Sequence, residues 1–464
     1  MSLPKPIGRQ KEVLYLPAEG HVAVLGTAGS GKTTLAILRA AYLADPSTSH
    51  YGKTLLVTFN RALVTYLKHL QERSLSSVVV ENYHLFARGY LASRGCMTRN
   101  GILNPEDREC LIEKAISIVQ TNHSSSSLLD RPTELFSDEF RWIAQHGITS
   151  VEDYRNVERI GRADARIQRK DRDLVFSVYE CYKALRGDSG QDYDWDDLAT
   201  AVAEKLASDS SPRRYKHVVI DEGQDFSPEM IKSLSRAIPS DGSLTFFGDV
   251  AQQIYGHRMS WRSAGLEIEK VWNFQENYRN SRPIARLGLE ISRMPYFQGV
   301  ADLVEPVAPS ADGPLPTIIQ CRSVEEEIDL VVAQAARSSQ SLSVAILFRN
   351  REDEGRVVSR LPKTSIRLHR NMTTWRSGPG VRYGTYHSAK GLEFDLVILP
   401  FCSDDRLPDP ERVEAFGEED AMSQDGRLLY VGVTRAKTRL LITYTGEATR
   451  MLPEDDELYR KLSR

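Results

Sequence analysis

Apolar positions along this chain gather into short, strand-sized runs separated by stretches of helical period. Val22–Leu25, Thr54–Phe59 and Ser77–Glu81 read as strands, and a helical pattern such as Leu35-Ala-Ile-Leu-Arg-Ala-Ala lies between them. Alternation of this kind predicts βαβ units and a parallel sheet. From about Phe86 to Leu206 the strand signals fade into charged, helical sequence, before His217–Asp221 and Leu244–Gly248 resume them. That order predicts a helical insertion inside a first α/β domain. A second series, Val344–Phe348, Ile366–His369, Leu396–Pro400 and Leu440–Tyr444, predicts a second α/β domain, with Ala308–Pro316 marked as a loop by its Pro, Gly and Ser content. No solenoid-length repeat interrupts the pattern, and the apolar runs fall far short of the roughly 18 residues a membrane span needs.

With 464 residues the chain can hold roughly two to four domains. Its net charge of −3 removes bulk attraction to nucleic acid, so any such contact must be local. The most basic stretch, from Arg155 through Arg159, Arg162, Arg166, Arg169 and Lys170 to Arg172, lies within the helical insertion and is a candidate for one. The five cysteines are scattered singly, which suits a reducing compartment and argues against a zinc or iron–sulfur site. No signal-peptide pattern opens the chain, so a cytoplasmic protein without a membrane partner is expected.

Chemistry enters at Gly26-Thr27-Ala28-Gly29-Ser30-Gly31-Lys32-Thr33-Thr34, a complete G-x-x-x-x-G-K-T loop between a predicted strand and a predicted helix. Glycines let backbone N–H groups curl around phosphates, the helix start adds its dipole, and Lys32 supplies a point charge. Thr33 is the natural magnesium ligand, so ATP and Mg²⁺ are the expected cofactors. The second strong motif is Val218-Val-Ile-Asp221-Glu222-Gly-Gln-Asp225, in which two adjacent carboxylates close an apolar strand. Asp221 is expected on the magnesium side and Glu222 as general base.

These residues, with six further motifs in order, resemble the superfamily 1 helicases of the UvrD/Rep/PcrA type. The further motifs are Thr58-Phe59-Asn60-Arg61, Glu81-Asn-Tyr-His84-Leu-Phe86, Gly248-Asp249-Val-Ala-Gln252-Gln253-Ile254-Tyr255, Asn277-Tyr278-Arg279, Thr385-Tyr-His387-Ser-Ala-Lys390-Gly391-Leu-Glu393, and Tyr430-Val-Gly-Val-Thr434-Arg435. The resemblance implies an α/β fold of two RecA-like P-loop NTPase domains: residues 1–88 and 196–265 form the first, 89–195 its helical insertion, and 266–464 the second. It implies that Gln10 reads adenine, Tyr278 stacks on it, Glu393 contacts the ribose and Gln252 senses the γ-phosphate. Arg279 and Arg435 would be arginine fingers from the second domain. Single-stranded DNA would stack on Phe59 and Tyr255 and run near Thr58, Asn60, His84, Thr385 and His387.

Two departures bear on function. After Tyr255-Gly256 the chain reads His257-Arg258-Met-Ser-Trp261, and either His257 or Trp261 takes the stacking position that a tryptophan holds in better-known members. The long second-domain insertion of larger members has no room between Phe348 and Thr385. A nuclease domain is not expected after Arg435. The leading expectation is an ATP-driven 3′-to-5′ translocase or helicase on single-stranded DNA, in repair, recombination or anti-phage defence. The alternative is a nucleic-acid-gated regulatory ATPase that works with a partner such as a nuclease and unwinds little. Remodelling of RNA or RNA polymerase is a third reading.

Overall fold

A computed structural model of the chain describes residues 10–26, 30–59, 64–65, 78–98, 100–123, 126–157, 167–249, 261–262, 264–268, 271–274, 280–297, 312–369 and 378–463. Two sheets organise it, and every ladder between the described strands is parallel. The first has the order β3-β2-β4-β5-β1-β6, from β1 (Gly20–Gly26), β2 (Thr54–Thr58), β3 (Val78–Asn82), β4 (His217–Asp221), β5 (Ser243–Gly248) and β6 (Val271–Phe274). The second has the order β13-β7-β12-β11-β8-β10-β9. Its strands are β7 (Thr317–Cys321), β8 (Ser343–Phe348), β9 (Ile366–Arg367), β10 (Gly380–Thr385), β11 (Phe394–Leu399), β12 (Ala436–Thr445) and β13 (Arg460–Ser463).

The inner strands are apolar on both faces because helices cover both; β2, β4 and β5 are buried at every position. Register sets the chemistry: Thr58 pairs with Asp221, and Leu25 with Gly248, so the carboxyl ends of β1, β2, β4 and β5 come out at one level. The first sheet extends further than residue 265, where the sequence reading ends that domain, because β6 pairs with β1. Past the segment 275–279, Ser281 N–H already donates to the Lys437 carbonyl (2.7 Å) of the second half.

Between β3 and β4 the described chain is helical, as expected. Pro105–Asn122, Thr133–Gln145, Val151–Asn156 and Arg172–Asp188 enclose a core of their own built on Phe136, Phe140, Tyr154, Phe176, Tyr179 and Tyr182. Asn104 and Ser150 cap two of these helices by accepting from the N–H groups of Asp107 and Asp153. The basic stretch is partly spent on this architecture: Arg155 pairs with Asp173, and Arg172 donates to the carbonyls of Tyr154, Arg155 and Val157 at 2.7–2.9 Å. Arg159, Arg162 and Arg166 lie outside the described residues. Phe140 meets Tyr179 and Tyr182 at centroid separations of 5.1 and 5.6 Å. Phe140→Ala is expected to cost roughly 3–5 kcal/mol in chemical denaturation.

Candidate functional site

The loop after β1 delivers Ser30 and Gly31 to the start of the helix Lys32–Leu43, and Gly31 holds φ +82°, a left-handed turn suited to glycine. Lys32 is buried and folds back over the loop. Its Nζ donates to the Gly26 carbonyl at 2.8 Å and lies 3.6 Å from the Asp249 carboxylate at the end of β5. Thr33 donates its hydroxyl to Asp221 at the end of β4. The other oxygen of that carboxylate, Oδ2, is buried with no hydrogen-bond partner among the described residues, and the same holds for the hydroxyl of neighbouring Thr58. An orphaned carboxylate oxygen beside a threonine hydroxyl, facing a lysine at a helix start, is a donor set that fits a magnesium-bound phosphate.

Glu222 takes φ 53°, ψ 42°, a left-handed conformation costing a non-glycine residue about 1–3 kcal/mol. Its neighbours enforce the turn. A Cβ on Gly223 would sit 2.2 Å from the Phe246 ring, and one on Gly248 would sit 2.6 Å from the same ring, so Phe246 fills the space between two residues that must be glycine. Gln224 clamps the arrangement by donating to Glu222 Oε2 at 2.5 Å while accepting from Asp249 N–H at 2.8 Å.

Two carboxylates side by side in a buried site should not both ionise, and the surroundings divide them. Burial, then the charge of Glu222, push the Asp221 carboxyl up to about 7 against the Thr33 hydrogen bond. Burial also works against the Glu222 anion, yet Arg435, Lys390 and Lys32 together outweigh it and hold that carboxyl below its ordinary range. Two of these three cations come from the second half of the chain. Arg435, fully buried at the end of the helix Glu418–Thr434, donates to the carbonyls of Val431 (3.0 Å) and Leu392 (3.5 Å). Lys390 makes a buried ion pair with Asp225, whose carboxyl burial pushes up to about 6.

Lys390, Asp225, Gln224 and Asp249 carry no role in the sequence reading, although all four lie inside its motifs. Of the other expected residues, Phe59 and His84 come together with ring centroids 5.4 Å apart, and His84 meets Trp195 at 5.3 Å. Thr58 is buried level with Asp221, at the phosphate end of the sheet. Trp261 is partly buried and packs edge-on against Phe246 at 5.1 Å. Glu393 lies 3.9 Å from Lys437, His387 is exposed and Thr385 half-buried. Thr34 follows Thr33 on the helix. Thr27, Ala28, Gly29, Asn60, Gln252, Tyr255, His257, Tyr278 and Arg279 lie outside the described residues, and so does the side chain of Gln10.

The raised Asp221 carboxyl has a pH consequence. A group whose folded pKa exceeds its unfolded value of about 3.9 destabilises the fold increasingly as pH climbs from there through 7. Asp221→Asn is therefore expected to stabilise the ligand-free chain more at pH 8 than at pH 5. Urea denaturation at both values measures it, and an equal gain at each would refute the assignment.

Comparison with known proteins covers both halves. A family model described as the UvrD/REP helicase N-terminal domain matches residues 8–277, and one described as the UvrD-like helicase C-terminal domain matches residues 368–447. The chain is 22% identical over 555 aligned residues to the ATP-dependent DNA helicase UvrD2 of Mycobacterium tuberculosis, an alignment covering 94% of this chain and 78% of that protein. It is 24% identical over 302 residues to DNA helicase II of Haemophilus influenzae, covering 58% and 36%. To DNA helicase II of Rickettsia typhi it is 36% identical over 81 residues, covering 18% and 12%.

Proposed function

The chain belongs to the UvrD/REP family of ATP-dependent DNA helicases, and from that premise we propose that it moves along single-stranded DNA in the 3′-to-5′ direction, hydrolysing ATP in the cleft between its two sheets. The observation that carries this reading is the convergence of Lys32 from one half, and Lys390 and Arg435 from the other, on a single buried carboxylate, Glu222.

Bound Mg²⁺·ATP supplies the phosphoanhydride and part of the neutralising charge. The remaining work falls to side chains already in place. Lys32, now bonded to the Gly26 carbonyl, would turn to a phosphate oxygen, and the Thr33 hydroxyl and the unpartnered Asp221 Oδ2 would hold the metal. Asp221, whose burial favours its protonated form, would be held ionised by a cation there. Glu222, kept ionised by the surrounding cations, accepts the proton of the attacking water. Arg435 supplies charge to the transferring phosphoryl group only when the second half closes on the first, which ties hydrolysis to domain movement.

On the nucleic-acid side, Phe59 offers a ring on which any base can stack, with His84 against its edge. Alternate closing and opening of the cleft would advance the strand past such rings. A motor that steps by stacking does so without regard to sequence.

Three measurements test the reading. Glu222→Gln is expected to lower kcat for DNA-stimulated hydrolysis by roughly 10²–10⁴-fold, and Lys32→Ala to abolish it; turnover close to wild type in either variant would sink the site assignment. Phe59→Ala is expected to weaken single-stranded DNA binding by about 1–3 kcal/mol, read by fluorescence anisotropy with oligonucleotides. Strand-displacement assays on 3′- and 5′-tailed duplexes decide the polarity. Stimulation by no polymer would instead favour a partner-dependent ATPase.

A further inference from the structure

The short helix Pro410–Phe416 belongs by sequence to the second half, yet its last residue does not pack there. Phe416 is buried in the core of the helical insertion, the cluster built on Phe136, Phe140 and Tyr179. Arg412, one turn earlier, stacks over the Phe416 ring at 4.8 Å and lies 3.7 Å from Asp138 on the insertion helix Thr133–Gln145.

The same helix is tied firmly to the second half. Gly417 alone separates it from the helix Glu418–Thr434, ending one helix by donating to the Val413 carbonyl and opening the next by accepting from Ala421. Arg412 donates to Gln424 on that second helix. Arg349, just past β8, pairs with Asp425 at 2.6 Å and Asp409 at 3.4 Å, so both helices are strapped to the carboxyl edge of the second sheet. Arg435 stands at the far end of Glu418–Thr434 and bonds Leu392, two residues from Lys390, which in turn reaches Asp225 across the cleft.

We propose that Phe416 and Arg412 are positioning residues: they dock the second half on the insertion and thereby set Arg435 and Lys390 against the Glu222–Asp225 turn. This rests on the ATP-site reading above. Besides the apolar cluster that the two halves share, the second half then meets the first at the carboxylate turn and on the insertion. A single aromatic plug with an ion pair makes the second contact separable, so nucleic acid that displaces the insertion shifts the arginine without touching the nucleotide.

The full-length variants Phe416→Ala, Phe416→Leu and Arg412→Ala test this, with Lys32→Ala as control. The first readout is hydrogen–deuterium exchange of the ligand-free chain. Phe416→Ala and Arg412→Ala are expected to accelerate exchange by about tenfold at residues 222–225 and 430–435, leaving β8 and β11 unchanged and Phe416→Leu close to wild type. The second is hydrolysis with single-stranded DNA, where kcat is expected to fall by about 10- to 100-fold while KM for ATP stays within about twofold. Should Phe416→Ala unfold the insertion, Arg412→Ala decides the matter by the same two readouts. Exchange confined to residues 133–145 and 410–417, with wild-type kcat, overturns the docking role even when Lys32→Ala is inactive. Full hydrolysis by Lys32→Ala overturns the ATP-site reading, and the exchange pattern still judges the docking contact.

Discussion

The structure depends on keeping an ionised carboxylate inside a buried cleft. Burying Glu222 works against its charge, and Arg435, Lys390 and Lys32 with a glutamine hydrogen bond outweigh that cost. Because Arg435 and Lys390 belong to the second half, the first half does not create this electrostatic environment alone. Charge balance and domain arrangement are therefore one constraint. Separation of the halves would leave Glu222 with Lys32 alone of those three cations, and its neighbour Asp221 would feel the change through their mutual repulsion.

Around that constraint, packing supplies rigidity where electrostatics needs it. Phe246 fills the space between Gly223 and Gly248, and Gln224 bonds Glu222 and the Asp249 backbone at once. The turn carrying Glu222 is thus held from the strand beside it. The left-handed backbone at Glu222 persists because so many neighbours fix it.

Much of this was legible in the sequence where the physics is local. The phosphate loop and the Asp-Glu strand end are contiguous, so strand, turn and helix can be read from a few residues. The alternation of strands and helices, and the helical character of the insertion, follow from hydrophobic period. Lys390 and Asp225 were not legible as partners because 165 positions separate them and only the placement of the two halves brings them together. β13 escapes pattern reading because Arg460–Ser463 is exposed at every position, an edge strand with no buried face to impose alternation. β6, Val-Trp-Asn-Phe, is too short to carry a period, and its pairing with β1 moves the edge of the first sheet beyond residue 265. Phe416 looks in sequence like an ordinary second-domain apolar residue, and nothing in its own helix announces that it lodges in the insertion.

The register of the first sheet also dictates how the chain assembles. β1 pairs with β5 and β6, Gly20 lying opposite Ser243, so among the described residues the strand before the Gly26–Thr33 loop has no ladder neighbour within the first two hundred positions. Closing that span costs chain entropy before any strand contact repays it. The insertion helices, capped locally and packed on one another, need no such closure. A ribosome releasing this chain would accordingly display the insertion helices already packed on one another while the loop after β1 was still waiting for its ladder partners.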